Sequence, residues 1–184
     1  MSDTTESQAR AQVESIVSMV AALSVDYARL QELREEFEAF EGEEKAAAEI
    51  GKAEWPSDVT THVDNDLIEA YDTGRELAEL ENAAGENESE DDAREAIQND
   101  ALSVEVRCGW TNPCAISEVG FEEFRIVLCT GGPHVEIVGD LDRGTPTRAR
   151  ILYGDGWGDS GEYFPESEAR DAVLTYCQQF YFGD

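Results

Sequence analysis

Glutamates concentrated in one short segment are the side chains whose type and spacing could serve a chemical purpose. Seven glutamates lie between residues 32 and 44, and Arg34 is the only basic residue in that segment. The seven are Glu32, Glu35, Glu36, Glu38, Glu41, Glu43 and Glu44. On a single helix they would place one charge per about 2.6 Å of axis, compared with one per about 1.7 Å in duplex DNA. Such a surface would suit a partner with a positively charged groove.

A second acidic segment would raise that charge density. Periodic apolar residues predict a neighbouring helix, and its acidic residues are Asp72, Glu76, Glu79 and Glu81. Over the whole chain, residues 1–100 carry 28 acidic and 7 basic side chains, whereas residues 101–184 carry 14 and 6. Acidity concentrated in one half indicates a surface shaped for a cationic partner.

From this distribution we predict a non-enzymatic inhibitor that mimics nucleic acid and blocks the DNA- or RNA-binding surface of its partner; the resemblance described below implies that this partner is a host defence complex. The expected partner is a basic nucleic-acid-binding protein or complex. Direct binding of nucleic acid is not expected, because neither half of the chain is basic. Two alternatives stay open. One is a small salt-adapted binding domain, which 2 lysines against 11 arginines would fit. The other is a structural protein of a mobile element that forms homo-oligomers through its N-terminal helix.

Few residues of the chain suit catalysis. His62 and His134 are the only histidines, and neither a GxSxG nor a phosphate-binding loop occurs. Cys129 and His134 are five residues apart across a turn, which is a weak indication of a nucleophile and its base. We therefore predict no enzymatic activity.

Metal and cofactor sites are not expected either. Two groups of acidic residues lie in loops, where a surface turn is the favoured interpretation over a cation site; they are Asp155, Asp159 and Glu162, and Asp64 and Asp66 beside His62. Four cysteines without a CxxC pair indicate buried free thiols in preference to a zinc site or disulfides; they are Cys108, Cys114, Cys129 and Cys177.

The location expected from the sequence is the cytoplasm of the host cell. The first ten residues are polar, and the apolar positions that follow are interrupted by charges, which does not fit a secretory signal. No stretch approaches the roughly 18 apolar residues that a membrane span needs, so no membrane association is predicted.

Periodic apolar residues predict helices through the first hundred residues. Between Ser7 and about Glu49 they recur every three or four positions, which predicts one long amphipathic helix; they are Val13, Ile16, Val20, Leu23, Tyr27, Leu30, Leu33, Phe37 and Phe40. After Pro56, a second amphipathic segment completes a helical hairpin; its apolar residues are Leu67, Ile68, Tyr71, Leu77 and Leu80. A short third helix is predicted from Ser89 or Asp91 to about Asn99.

Beyond Asp100 the apolar period changes to two, which indicates strands. Four are predicted in an antiparallel meander: Leu102–Trp110, Phe124–Cys129, His134–Val138 and Arg148–Tyr153. Pro165 and Glu166 would open a last helix that covers one face of the sheet. The predicted fold class is therefore α+β, with an acidic helical region over residues 1–100 and a meander plus C-terminal helix over residues 101–184.

Three segments of the C-terminal part resemble small acidic proteins carried by phages and plasmids. They are Leu102–Trp110 (LSVEVRCGW), Cys129–Pro133 (CTGGP) and Phe180–Gly183 (FYFG). The resemblance extends from about residue 100 to the end of the sequence and transfers no functional residue. It implies a mobile-element context, in which acidic inhibitors of restriction or CRISPR nucleases are expected.

Overall fold

The computed structural model describes residues 2–53, 65–109, 120–155 and 160–183, and within them the fold is α+β, as predicted. Six helices are present: α1 (Ser2–Ala22), α2 (Tyr27–Ala39), α3 (Gly42–Ala53), α4 (Asn65–Ala84), α5 (Glu90–Asp100) and α6 (Ser167–Cys177). Five strands form one sheet: β1 (Ser103–Arg107), β2 (Glu123–Cys129), β3 (His134–Asp142), β4 (Thr145–Gly154) and β5 (Ser160–Tyr163).

The chain divides into two compact units. The first, termed the sheet unit, comprises residues 1–20 and 94–184, and the second, termed the helical unit, comprises residues 21–93. These limits differ from the expected boundary at residue 100, because the first helix and most of α5 group with the sheet. The helical unit holds 23 acidic and 5 basic residues, and the sheet unit holds 19 and 8.

The prediction of one long helix from Ser7 to about Glu49 is wrong, since the chain forms three helices there. Asp26 caps α2 by accepting a hydrogen bond from the backbone N–H of Arg29 at 3.0 Å, which favours a new helix start. Phe40 then leaves α2 in an extended conformation, and Gly42 has a φ of +56°. Positive φ strains most residues other than glycine, so the helical path ends at this point.

The apolar stripe on which the long-helix prediction depended is buried or half-buried in the folded chain. Val13, Ile16, Leu30 and Leu33 are buried, and the other five members of the stripe are half-buried. A homo-oligomer through these residues stays a prediction, and it would have to compete with the contacts that already cover them.

The sheet is antiparallel throughout, in the strand order β1-β2-β3-β4-β5. It has one strand more than the four predicted, because β5 forms in a segment whose glycine and acidic residues indicated a loop. The connection between β3 and β4 is also shorter than the one left between the predicted strands His134–Val138 and Arg148–Tyr153. Only Arg143 and Gly144 separate β3 from β4, and both have positive φ, as a type I′ hairpin turn requires.

Apolar side chains from alternate strand positions form the core of the sheet unit. Ile126, Ile137 and Ile151 are buried on one face of β2, β3 and β4. The C-terminal helix α6 packs against β4 and contributes buried residues to the core, including Val173 and Cys177. The prediction of a C-terminal helix against the sheet is thereby confirmed. The opposite face of the strands carries charged side chains that are mostly exposed to solvent, and we term it the open face of the sheet.

Tyr176 joins two helices of the sheet unit. Its ring is fully buried in α6, and its hydroxyl donates a hydrogen bond to the Asp100 carboxylate at the end of α5, at 2.7 Å. Burial and this carboxylate raise the pKa of the Tyr176 hydroxyl well above its ordinary value. The predicted third helix, now α5, is confirmed at its start as well. The Ser89 hydroxyl accepts a hydrogen bond from the Asp92 N–H at 3.1 Å.

Small residues allow α3 and α4 to approach closely in the helical unit. A Cβ added at Gly51 would lie 2.1 Å from the Tyr71 carbonyl oxygen, and one added at Gly74 would lie 2.0 Å from that of Ala48. Both distances are shorter than any van der Waals contact. A second cluster packs α2 against α4; its buried residues are Leu30, Leu33, Leu77 and Ala84. None of the described helices has the length and apolar character to cross a membrane.

We predict that Gly51→Ala and Gly74→Ala each lower the free energy of unfolding, by about 1–3 kcal/mol, because the added methyl group forces two backbones apart. The sign of the change in unfolding free energy distinguishes two effects. Helix propensity alone would make alanine more stabilising than glycine by about 1 kcal/mol, so a loss of stability must come from the close backbone approach. Urea unfolding followed by circular dichroism measures the change. Gly120→Ala is the control, since its Cβ would meet nothing within 4 Å. Unchanged or increased stability in both helix variants would contradict the close approach.

Candidate functional site

The predicted acidic residues all lie in the helical unit, but on several elements. Four are on α2, one is in the connection to α3, two are in the first turn of α3 and four are on α4. The single-helix charge density therefore does not apply, because the chain changes direction between Phe40 and Gly42. Glu43 and Glu44 lie in the first turn of α3, where negative charges stabilise the helix by interacting with the positive end of its dipole.

Arg29 links α2 to α4 through a carboxylate. Its Nε and Nη2 donate hydrogen bonds to the two carboxylate oxygens of Glu76, both at 3.1 Å. The same guanidinium lies 3.3 Å from Glu36 and 3.5 Å from Glu32. The hydrogen bond from Arg29 lowers the pKa of the Glu76 carboxyl below its ordinary value, and Glu76 in turn raises the pKa of Arg29. A bidentate pair of this kind fixes the relative orientation of its two side chains.

Glu81 is the second point at which helices of this unit are joined by charge. Lys52 of α3 lies 2.6 Å from one of its carboxylate oxygens, and Arg34 of α2 lies 3.5 Å from the other. Arg34 also donates to Glu88 at 2.6 Å. One carboxylate on α4 is therefore shared by cations from α2 and α3.

Phe37 binds the two lysines of the chain on its ring. The Nζ of Lys45 lies 3.9 Å from the ring centroid and that of Lys52 lies 5.2 Å away, which are cation–π distances. Lys45 also donates to the Phe37 carbonyl at 2.6 Å and lies 3.8 Å from Glu38. These contacts connect α2 with α3.

The predicted acidic residues thus fall into three sets: those in ion pairs, one with a hydrogen bond only, and those with neither. Six form ion pairs with the cations of the helical unit: Glu32, Glu36, Glu38, Asp72, Glu76 and Glu81. Glu35 accepts a hydrogen bond from Gln31 at 3.0 Å. The side chains of the other four form no hydrogen bond or ion pair with any residue that the structure describes; they are Glu41, Glu43, Glu44 and Glu79. All but the half-buried Glu44 are exposed.

A further acidic segment was interpreted from the sequence only as a polar loop and the start of a helix. It runs from Glu86 to Asp92, and its acidic residues are exposed. Burial, together with the charges of Asp92, Glu88 and Glu90, raises the pKa of the Tyr27 hydroxyl. Arg34 of α2 lies 2.6 Å from Glu88, so this acidic turn is beside α2. The signal was present in the sequence, because five of these seven residues are acidic.

Among the residues that the structure describes, the thiols and the metal-ligand candidates are not brought together at one site. The Cys129 thiol donates to the Pro133 carbonyl at 3.6 Å, whereas His134 Nε2 lies 3.0 Å from Glu136, so the two residues have separate partners. Cys177 is buried and Cys108 is exposed, which corrects the expectation of buried thiols for Cys108. Burial raises the pKa of the Cys177 and Cys129 thiols.

No group of three or more His, Cys, Asp or Glu side chains in the described ranges is arranged to hold a metal ion. Some residues considered from the sequence lie outside those ranges: His62, Asp64, Cys114 and Asp159.

We predict that Arg29→Met raises the pKa of Glu76 toward that of an ordinary glutamate, which an NMR pH titration of side-chain carboxyls would measure. A lowered pKa in the folded state means that the Arg29–Glu76 pair stabilises the fold above the ordinary pKa of glutamate. This stabilisation is lost as the pH falls through the lowered value. Arg75→Met is the matched control, since Arg75 contacts Asp72 and leaves Glu76 unchanged. An unaltered Glu76 titration in Arg29→Met would contradict the arrangement.

Comparison with known proteins yields no match to a family model, a curated protein or a solved structure.

Proposed function

We propose that the helical unit is an anionic docking surface that occupies the nucleic-acid-binding site of a cationic protein. In this proposal the protein is a non-enzymatic inhibitor in the cytoplasm of the host cell, and its targets are restriction or CRISPR complexes. The observation that carries the proposal is the uncompensated charge of residues 21–93, where 23 acidic residues stand against 5 basic ones.

The ion pairs of this unit support the proposal by what they leave exposed. Each of its five cations lies within 4 Å of at least one carboxylate: Arg29, Arg34, Lys45, Lys52 and Arg75. Four of them connect different elements, so they hold the helices in place while the excess carboxylates face solvent. A rigid set of charges binds with a smaller loss of conformational entropy than a flexible acidic tail.

The spacing of the acidic helices also fits the groove of a protein that binds nucleic acid. Carboxylates four residues apart on a helix are separated by about 6 Å along the axis, and packed helices such as α2 and α4 lie about 8–10 Å apart. Carboxylates on both helices can therefore present anions in two dimensions, as the two phosphate strands of a duplex do. Long-range attraction would accelerate encounter with a basic groove and weaken as salt screens it.

Salt adaptation is the alternative that a specific observation favours, since the chain has 11 arginines and 2 lysines. It predicts a different response to ionic strength. A salt-adapted domain should lose its fold in dilute buffer, whereas the docking surface should stay folded there and bind most tightly.

We predict that neutralising four exposed glutamates of the helical unit weakens inhibition by about tenfold or more, because each lost charge removes one contact with a cationic groove. The variant combines Glu35→Gln, Glu41→Gln, Glu43→Gln and Glu79→Gln. The assay measures displacement of a fluorescent DNA duplex from purified restriction endonucleases and CRISPR effector complexes at about 50 and 200 mM salt.

The matched control removes four exposed charges from the sheet unit, by Asp142→Asn, Glu166→Gln, Glu168→Gln and Asp171→Asn. It should inhibit like the parent protein. Equal loss in both variants would show that only bulk charge matters. Absence of displacement by the parent protein at low salt would reject the proposed function.

A further inference from the structure

The open face of the sheet carries a charge pattern unlike that of the rest of the molecule. Residues directly opposite each other on antiparallel strands point to the same face, so the strand register defines rows across it. One row contains Glu105, Arg125, Val138 and Arg150 on β1 to β4. The next contains Arg107, Glu123, Asp140 and Arg148. Four of the eleven arginines of the chain therefore share one face of a strongly acidic protein.

Val138 lies at the centre of a ring of four charges on this face. Arg125 and Arg150 are its direct neighbours on β2 and β4. Glu136 and Asp140 are two residues away in each direction along β3, and side chains at that spacing point to the same face. Cations therefore flank Val138 across the sheet, and carboxylates flank it along the strand.

Each member of this ring has a partner farther from Val138, and Arg125 and Glu136 also contact each other within the ring, at 3.7 Å. Arg125 contacts Glu105 at 2.5 Å, Arg150 contacts Glu162 at 3.6 Å, and Asp140 contacts Arg148 at 3.6 Å. A carboxylate oxygen of Glu136 lies 3.0 Å from His134 Nε2 and accepts a hydrogen bond when that nitrogen carries the ring proton. Guanidinium groups have five donors and carboxylates have about four acceptor positions, so each group retains hydrogen-bonding capacity toward the centre.

A cavity of about 520 Å³ lies over this ring. Its lining includes the four charged groups together with Val138 and Leu152, which provide an apolar floor. The volume falls within the range of about 300–1,000 Å³ that is usual for small-molecule sites. The Glu136 side chain is the least exposed of the ring, at 16%. We term this cavity the Val138 pocket.

From this geometry we propose that the Val138 pocket binds a neutral planar heterocycle that presents acceptors on one edge and donors on an adjacent edge, as guanine does. Arginine pairs with the O6 and N7 acceptors of guanine, and a carboxylate can accept from the neighbouring N1–H and N2–H₂ donors. In the ring, the arginines lie across the sheet from Val138 and the carboxylates lie along the strand, so donors and acceptors approach a bound base from perpendicular directions. Val138 and Leu152 provide an aliphatic surface on which the base can lie. The inference is independent of the docking function proposed for the helical unit.

Ligands with a net charge are less well matched to the pocket. A free anion would be attracted by two guanidiniums but repelled by two carboxylates and by a chain of net charge −29. A free cation would be attracted by the net charge of the chain but would meet the guanidinium groups of the lining, which are those of Arg107, Arg125 and Arg150. A base or nucleoside avoids both costs, whereas its phosphorylated form is opposed by the field of the protein.

Isothermal titration calorimetry of the full chain with guanosine as the probe tests the proposal. We expect saturable 1:1 binding of guanosine, weaker binding of inosine, which lacks the N2 amino group, and no saturable binding of adenosine. Guanosine monophosphate should bind more weakly than guanosine in dilute buffer, with a difference that narrows as salt is added. A guanine-rich oligonucleotide that binds more tightly than the nucleoside would overturn the assignment to a free base.

Two variants separate binding from folding. Arg150→Met should weaken guanosine binding by about tenfold, since it removes one charge-assisted recognition pair. Val138→Phe leaves all four charges in place and should abolish binding by filling the floor. Arg170→Met is the control, because Arg170 is exposed on α6 and lies outside the pocket lining. Circular dichroism verifies folding. Absence of saturable guanosine binding to the parent protein, or parent-like affinity in a folded Val138→Phe variant, would reject the proposal.

Discussion

Mutual repulsion among carboxylates is the constraint on which the helical unit depends. Its 73 residues carry a net charge of −18, which favours expansion of the chain. Packing of α2, α3 and α4 places five cations between these charges, and the arginines and lysines act mainly as links between helices. Arg29 links Glu36 of α2 to Glu76 of α4. Glu81 of α4 contacts Arg34 of α2 and Lys52 of α3. Exposed ion pairs contribute little individually, but a connected set limits the directions in which the excess carboxylates point.

Close backbone approach complements this electrostatic arrangement. Gly51 and Gly74 bring α3 against α4 at distances that no larger residue would permit, so the charged side chains of both helices are near enough to share partners. The sheet unit solves its charge problem differently. There, most charges on the open face of the sheet have a partner of opposite sign on a neighbouring strand. The two units therefore present different surfaces: the helical unit is strongly anionic, whereas the open face of the sheet carries paired charges of both signs.

Patterns of hydrophobic residues predicted the element types well but their limits less well. The period of two identified β1 to β4, and Pro165 with Glu166 identified the start of α6. The break at Asp26 was missed, because the apolar spacing continues through it and conceals a change of direction. The stripe itself ends at Phe40, next to the second break, but the predicted helix was extended past Gly42 to about Glu49. β5 was missed since it is four residues long, contains Gly161 and gains its stability from pairing with β4. The acidic residues of the candidate site were identifiable by type, but which of them pair with cations depends on helix packing and could not be read from sequence spacing.

The position of the two lysines against Phe37 has a chemical consequence. Acylation of either amine would remove a positive charge from the most acidic part of the molecule, and with it a cation–π contact and a link between helices. Lysine acetylation, which on most protein surfaces is a mild change, would here act on the cohesion of three helices.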